Sequence, residues 1–191
     1  MISIDDFKLI LTDTLQHEGK TSVDPADPGN WTGGKVGNGE LRGTKKGISA
    51  ARYPHLDVMA LSDEQIEKLY FDDFWSGPRI NHLDNFALAR KVFDLYVNTG
   101  QAIRMLQRAI NTVCCGQVAP RRAAPWRQTV ARLTKGKPLR VDGIIGPITL
   151  EVLRACPYQA ALRVALKGEA YNHYKRRNPL YIPGWLTRLA G

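Results

Sequence analysis

Cysteine is scarce: Cys114, Cys115 and Cys156 are the only three in 191 residues, an odd number that argues against a disulfide-built scaffold. Two of them are adjacent, a spacing that rarely bridges, and His17, His55, His82 and His173 are scattered. No metal or other cofactor is therefore expected, and the thiols read as buried or idle. Such usage fits synthesis in a reducing cytoplasm. Long apolar runs are also missing. No stretch reaches the roughly 18 apolar residues of a spanning helix, so stable membrane insertion is not expected. The first residues, Met1-Ile2-Ser3-Ile4-Asp5-Asp6, carry acidic groups where an export signal would carry basic ones, and no signal peptide is expected. There is no zinc-finger spacing, no basic zipper and no aromatic-basic sheet signature, which argues against specific nucleic-acid recognition. Internal repeats and low-complexity segments are lacking too.

What is present is ordinary in hydrophobic content, 43%, and in charged content, 24%, as in soluble globular proteins. The length suits one sizeable core, or one with an appended lobe. The net charge of +9 and the pI near 9.6 are less ordinary. Arg121, Arg122, Arg127, Arg132, Lys135, Lys137 and Arg140 crowd one stretch, and Lys175, Arg176 and Arg177 another. A chain this basic is drawn to polyanions, among them nucleic acid, anionic lipid headgroups and the carboxylate-bearing bacterial wall.

Glu18 is the most informative residue. Ile4, Phe7, Leu11, Thr14 and Leu15 fall on one stripe of an N-terminal helix, and Glu18 continues that stripe toward the interior. Desolvation there raises a carboxyl pKa and favours the protonated state a general acid needs. Beyond it runs Asp24-Pro25-Ala26-Asp27-Pro28-Gly29-Asn30-Trp31-Thr32-Gly33-Gly34, then Gly37, Gly39 and Gly43, reaching Thr44-Lys45-Lys46-Gly47-Ile48. Proline and glycine at this density exclude a helix and predict a long ordered loop or a short hairpin. Loops of this length in compact domains usually carry function. Asp24 reads as a turn former, whereas Asp27, nine residues beyond Glu18, is placed to present a second carboxylate across a cleft. Trp31 and Tyr53 are the aromatic candidates for a ligand contact near that cleft, and Asn98, at a helix end, is a further candidate contact.

His17-Glu18-Gly19, the Asp-Pro-x-Asp-Pro-Gly turn, Thr44-x-x-Gly47-Ile48, Val97-Asn98-x-Gly100, Val141-Asp142-Gly143-Ile144-Ile145-Gly146-Pro147 and Gly184-Trp185-Leu186 lie in order along the whole chain. Together they resemble glycoside hydrolase family 108, whose members are N-acetylmuramidases found as phage endolysins and as bacterial secretion activator proteins. The resemblance implies a mainly α, lysozyme-like fold: a helical bundle with a long glycine-rich active-site loop or short hairpin, plus a carboxyl-terminal helical lobe. It implies a catalytic region over 1–100 and, over 101–191, a helical region similar to a peptidoglycan-binding domain. It also implies that Glu18 is the catalytic acid, and the analogous set in phage-type lysozymes makes Asp27 and Thr44 its partners. The family commonly reads Glu-Gly-Gly-Tyr at the catalytic turn. Here Glu18-Gly19-Lys20-Thr21 keeps the acid and loses the aromatic, leaving Trp31 or Tyr53 to substitute.

The implied activity is hydrolysis of the β-1,4 bond between N-acetylmuramic acid and N-acetylglucosamine in peptidoglycan. Its settings would be phage or prophage lysis, or wall remodelling for secretion. The expected life history is synthesis in the cytoplasm, release by a holin or secretion system, action in the periplasm or wall, and a monomeric state. Two other readings stay open: a lytic transglycosylase acting on the same bond, and a wall-binding module without catalysis.

The remaining pattern is helical. Ser62-Asp63-Glu64-Gln65 is a capping box before Ile66, Leu69, Tyr70 and Phe74, with an end at Trp75 near Gly77-Pro78. Asp84 opens a core helix whose Phe86, Ala89, Val92, Phe93, Tyr96 and Val97 recur at helical steps until Asn98-Thr99-Gly100. Ile103, Leu106, Gln107 and Ile110 form a further helix. An insertion from about Gly116 to Arg140, with one short helix around Trp126 to Leu133, is the expected lobe boundary. Leu150–Ala155 and Gln159–Tyr174 supply later helices, and Trp185 with Leu186 is expected to fold back as a closing wedge.

Overall fold

The computed structural model describes residues 2–17, 21–115, 125–177, 179 and 182–190. Among them are eight α-helices and a single three-stranded antiparallel sheet, the mainly α, lysozyme-like class that the sequence predicts. The backbone divides into two compact units, residues 7–73 and residues 1–6 with 74–191. The expected division at residue 100 follows motifs, whereas this one follows contacts.

The first unit is built on α1, Ile4–His17, whose start is fixed by a reciprocal cap. Ser3 Oγ accepts from Asp6 N at 3.1 Å, and the Asp6 carboxylate accepts from Ser3 N at 3.1 Å. Phe7, Ile10, Leu11 and Thr14 are buried, while Ile4 is 51% exposed. The apolar stripe thus runs through Ile10 and not through Ile4. An edge-to-face contact at 5.2 Å joins Phe7 to Phe71. The loop that follows carries β1, Thr21–Ser22, β2, Thr44–Lys45, and β3, Ile48–Ser49, in the order β1-β2-β3. Between β2 and β3 lie only Lys46 and Gly47, at φ 46° and 77°, the two-residue left-handed turn that matches strand twist. This is the short hairpin allowed by the sequence. Helix α2, Asp63–Tyr70, begins at the predicted capping box, with Ser62 N donating to Gln65 Oε1 at 2.8 Å and Gln65 N donating to Ser62 Oγ at 3.3 Å. It continues as a π-helical stretch, Phe71–Ser76.

The second unit centres on α3, Phe86–Thr99, α4, Ala102–Val113, and α7, Gln159–Tyr174. The cap of α3 is Asn85, whose side chain accepts from Leu88 N at 2.9 Å, and its end is Gly100 at φ 65°. Asp84, expected to open that helix, instead pairs with Arg154 at 2.6 Å. Helix α5, Pro125–Thr134, is the predicted short helix of the insertion, and 116–124, the first part of that insertion, lies outside the described residues. Pro147 opens α6, Pro147–Ala155, three residues before the expected start. Trp185, on α8, Ile182–Ala190, stacks on Tyr174 with ring centroids 5.2 Å apart, which is the closing contact anticipated for this tryptophan. Among the described residues no helix is long and apolar enough to cross a membrane.

Candidate active site

The glycine-rich loop takes its shape from Asn30. This side chain has no exposed surface. Its Nδ2 donates to Asp24 O at 2.9 Å and to Ser22 Oγ at 3.2 Å, while the backbone carbonyl of the same residue accepts from Arg42 N at 2.9 Å and Gly43 N at 3.0 Å. One buried residue, through its side chain and its backbone, therefore ties together β1, the Asp-Pro turn and the chain entering β2. The sequence lists Asn30 only as part of a loop. An asparagine between Gly29 and Trp31 reads as a turn residue, and its burial is decided by tertiary packing that no local pattern reports.

Asp27 caps a 3₁₀ turn, Pro28–Asn30, and its Oδ1 accepts from Gly29 N at 2.8 Å. Asp24 does the same one turn earlier, accepting from Ala26 N at 2.9 Å. Both carboxylates are exposed and both shape the backbone. Trp31 is half-buried, its Nε1 donating to Pro25 O at 2.8 Å, and its backbone bridges to Leu41 across the loop. This tethers the indole to the Asp-Pro turn by its nitrogen.

Thr44 lies on the central strand, paired in register with Ser22 on one side and Ser49 on the other. Residues opposite each other across a sheet share a face, so Ser22, Thr44 and Ser49 form a row of hydroxyls. The alternate row, Thr21, Lys45 and Ile48, includes the fully buried Ile48. Lys45 reaches back from that row to donate to Met59 O at 3.0 Å and Leu61 O at 2.7 Å, fastening the hairpin to the chain before α2. Gly43 holds the approach to Thr44: it sits at φ 78°, and a Cβ there would lie 2.6 Å from Ser22 O.

Tyr53 is 5% exposed, with its ring in the core of the first unit. Its hydroxyl donates to Asp73 Oδ2 at 2.7 Å and accepts from Arg52 Nε at 3.3 Å. Burial, reinforced by the Asp73 hydrogen bond, pushes its pKa up to about 12.

The structure thus gathers Asp27, Trp31, Thr44 and Tyr53 in the 7–73 unit. Asn98 belongs to the other unit, on the last turn of α3, half-buried. Glu18 lies outside the described residues; the helix before it is described as far as His17. Among the described residues no group of three or more His, Cys, Asp or Glu is arranged to hold a metal ion.

The Val141–Pro147 motif is likewise a built turn. Gln107, 1% exposed on α4, donates to Asp142 Oδ1 at 2.7 Å and Ile144 O at 3.1 Å, and accepts from Gly143 N at 2.8 Å. That bond holds the Asp142 carboxyl below its usual range.

No curated protein matches the chain. Residues 11–100, which take in the second half of α1, the entire glycine-rich loop and α3, match the family described as Glycosyl hydrolase 108, and that match supports membership of this glycosyl hydrolase family.

Proposed function

We propose that the protein is a peptidoglycan hydrolase, an N-acetylmuramidase that cleaves the β-1,4 bond between N-acetylmuramic acid and N-acetylglucosamine. The observation that carries this reading is the family match over 11–100, a stretch that encloses Glu18, Asp27 and Thr44 together. Glycoside hydrolysis needs an acid to protonate the leaving oxygen and, in most families, a second carboxylate that attacks or activates water. Glu18 is assigned as the acid. Asp27 is assigned as the second carboxylate and Thr44 as the group that orients water. Thr44 Oγ1 makes no hydrogen bond among the described residues, so its hydroxyl is available for that task.

Of the two aromatic candidates, Trp31 is the half-exposed one and takes the sugar-stacking role, its nitrogen already held by Pro25. Tyr53 supports the loop from the core, and Asn98 contributes to substrate binding from α3. Residues 1–100 form the catalytic region in this reading, with 101–191 a wall-binding region. The protein acts as a monomer on the wall, after release through a holin or a secretion system, in lysis or in wall remodelling. Its charge of +9 favours an acidic polymer.

One observation favours a second reading. Asp27 Oδ1 is engaged by the backbone of its own turn, and a lytic transglycosylase needs only one carboxyl, because the sugar's own hydroxyl attacks. The test is digestion of purified Gram-negative peptidoglycan by wild type and Glu18→Gln, with chain ends identified by mass spectrometry. Reducing muramic-acid ends that vanish in Glu18→Gln support the muramidase. Anhydro ends would reassign the chemistry, and binding without cleavage by either protein would leave a wall-binding module.

A further inference from the structure

Two of the three cysteines meet, although they are far apart in sequence. Cys114 caps the end of α4 and Cys156 caps the end of α6. Their Sγ atoms are 2.6 Å apart, closer than unbonded sulfurs rest and within about 0.6 Å of a covalent S–S bond of about 2.05 Å. Both side chains are buried, at 5% and 2% exposure. The backbone on each side is fixed where it stands: Cys114 N donates to Ile110 O at 2.7 Å, Cys156 N donates to Val152 O at 3.1 Å, and Gln159 Nε2 donates to Cys156 O at 2.9 Å. Cys115 points elsewhere in chemical terms: it is half-buried, with no sulfur partner at bonding distance among the described residues.

We propose that Cys114 and Cys156 are an oxidisable pair that closes into an intramolecular disulfide joining the ends of α4 and α6, with Cys115 left as the one free thiol. Closure removes one proton and one electron from each thiol. With glutathione disulfide as the oxidant, Cys156 first forms a mixed disulfide and releases one glutathione, and Cys114 then displaces the second. Cys156 is assigned the first step as the member of the pair whose residue borders a cavity, of about 350 Å³, together with Leu83, Leu88, Leu150 and Leu153. Burial pushes the Cys114 thiol well above its ordinary range, which makes its thiolate scarce and the closing step slow. The odd cysteine count, which argues against a disulfide scaffold, is compatible with a single staple and one spare thiol.

The experiment uses the purified full-length chain, equilibrated with glutathione disulfide, unfolded, alkylated with iodoacetamide and weighed. One alkylated thiol and the loss of two hydrogens are expected, reversed by dithiothreitol. Cys115→Ser should then show no alkylated thiol after oxidation, and Cys114→Ser, which lacks the resolving thiol, should hold Cys156 as its glutathione adduct and show one alkylated thiol. Fragmentation of the cross-linked wild-type peptide between Cys114 and Cys115 locates the bond without relying on any variant. The oxidised protein should melt roughly 10 °C higher than the reduced one, since the bond closes a long loop in the unfolded chain. Three alkylated thiols in the wild type, a stable glutathione adduct on Cys114 or Cys156 of the wild type, or a bond mapped to Cys115 would each overturn the proposal. None of these readouts depends on wall-cleaving activity.

Discussion

Asn30 illustrates how one side chain sets a loop. It donates to Ser22 and Asp24 through its amide while its backbone accepts from Arg42 and Gly43, so truncation removes two part-buried hydrogen bonds and empties a fully buried position. Asn30→Ala is expected to cost about 1–3 kcal/mol and to lower activity with it, because Asp27 and Thr44 hang from the same frame. An unchanged denaturant midpoint would refute this. Tyr53 makes a pH prediction. Its folded pKa is raised to about 12 from an ordinary 10, so the folded state holds the proton more tightly than the unfolded chain. The stabilisation is fully present below pH 10 and is lost as pH rises through 12, since the unfolded chain ionises first. Tyr174, raised by burial to about 12 in the other unit, adds a loss of the same sign. Alkaline titration of the thermal midpoint should therefore fall between pH 10 and pH 12, and Tyr53→Phe should flatten part of that fall; a variant with an unaltered alkaline limb would show that Tyr53 does not contribute. The turn-forming role of Asp24 was legible in the sequence, because proline and glycine announce turns locally. The burial of Asn30 and Tyr53, and the meeting of Cys114 with Cys156, were not, because each depends on residues distant in the chain.

At the scale of elements, local rules and tertiary packing divide the explanation. The Ser62 capping box, the span of α7 and the stop at Gly100 were all readable, since caps and helical periodicity are written within a few residues. The first turn of α1 was misread: Ile4 shares the helical phase of Phe7 and Leu11, yet it stays exposed and Ile10 is buried instead. Periodicity gives a face, and only packing says how far along the helix that face is covered. The cap of α3 shifts from Asp84 to Asn85 for a similar reason, as Arg154 from α6 engages the aspartate. The hairpin allows a sharper test. Gly43 combines φ 78° with a backbone oxygen, that of Ser22, at 2.6 Å from where a Cβ would stand. Gly43→Ala must therefore bear both left-handed strain and a backbone clash, together about 2 kcal/mol or more. Since Thr44 is the next residue, the loss should appear in kcat as well as in stability. A variant that keeps the wild-type midpoint and kcat would show that β1 and β2 can separate freely at this point.

For the molecule as a whole, charge is the property that acts at a distance. Lys and Arg number 27 against 18 Asp and Glu, giving the net +9 that follows from their difference. Some of these cations are neutralised locally, as in Arg188 with Asp94 at 2.6 Å and Arg108 with Glu169 at 2.6 Å, but the excess remains after every acid is counted. If that excess recruits the protein to an anionic wall, association must weaken as salt shortens the screening length from about 10 Å at 0.1 M to about 3 Å at 1 M. Sedimentation with purified peptidoglycan should then show binding that falls several-fold over this range. Glu18→Gln should bind at least as well as wild type, because it removes no basic group. Binding insensitive to salt would instead place recognition in neutral contacts, sugar hydroxyls and the Trp31 face, and would separate the basic character of the chain from its attachment to the wall. Cleavage measured in parallel distinguishes the two contributions: salt should raise KM while leaving kcat nearly constant, since charge brings the substrate in and the carboxyl groups act only once it is there.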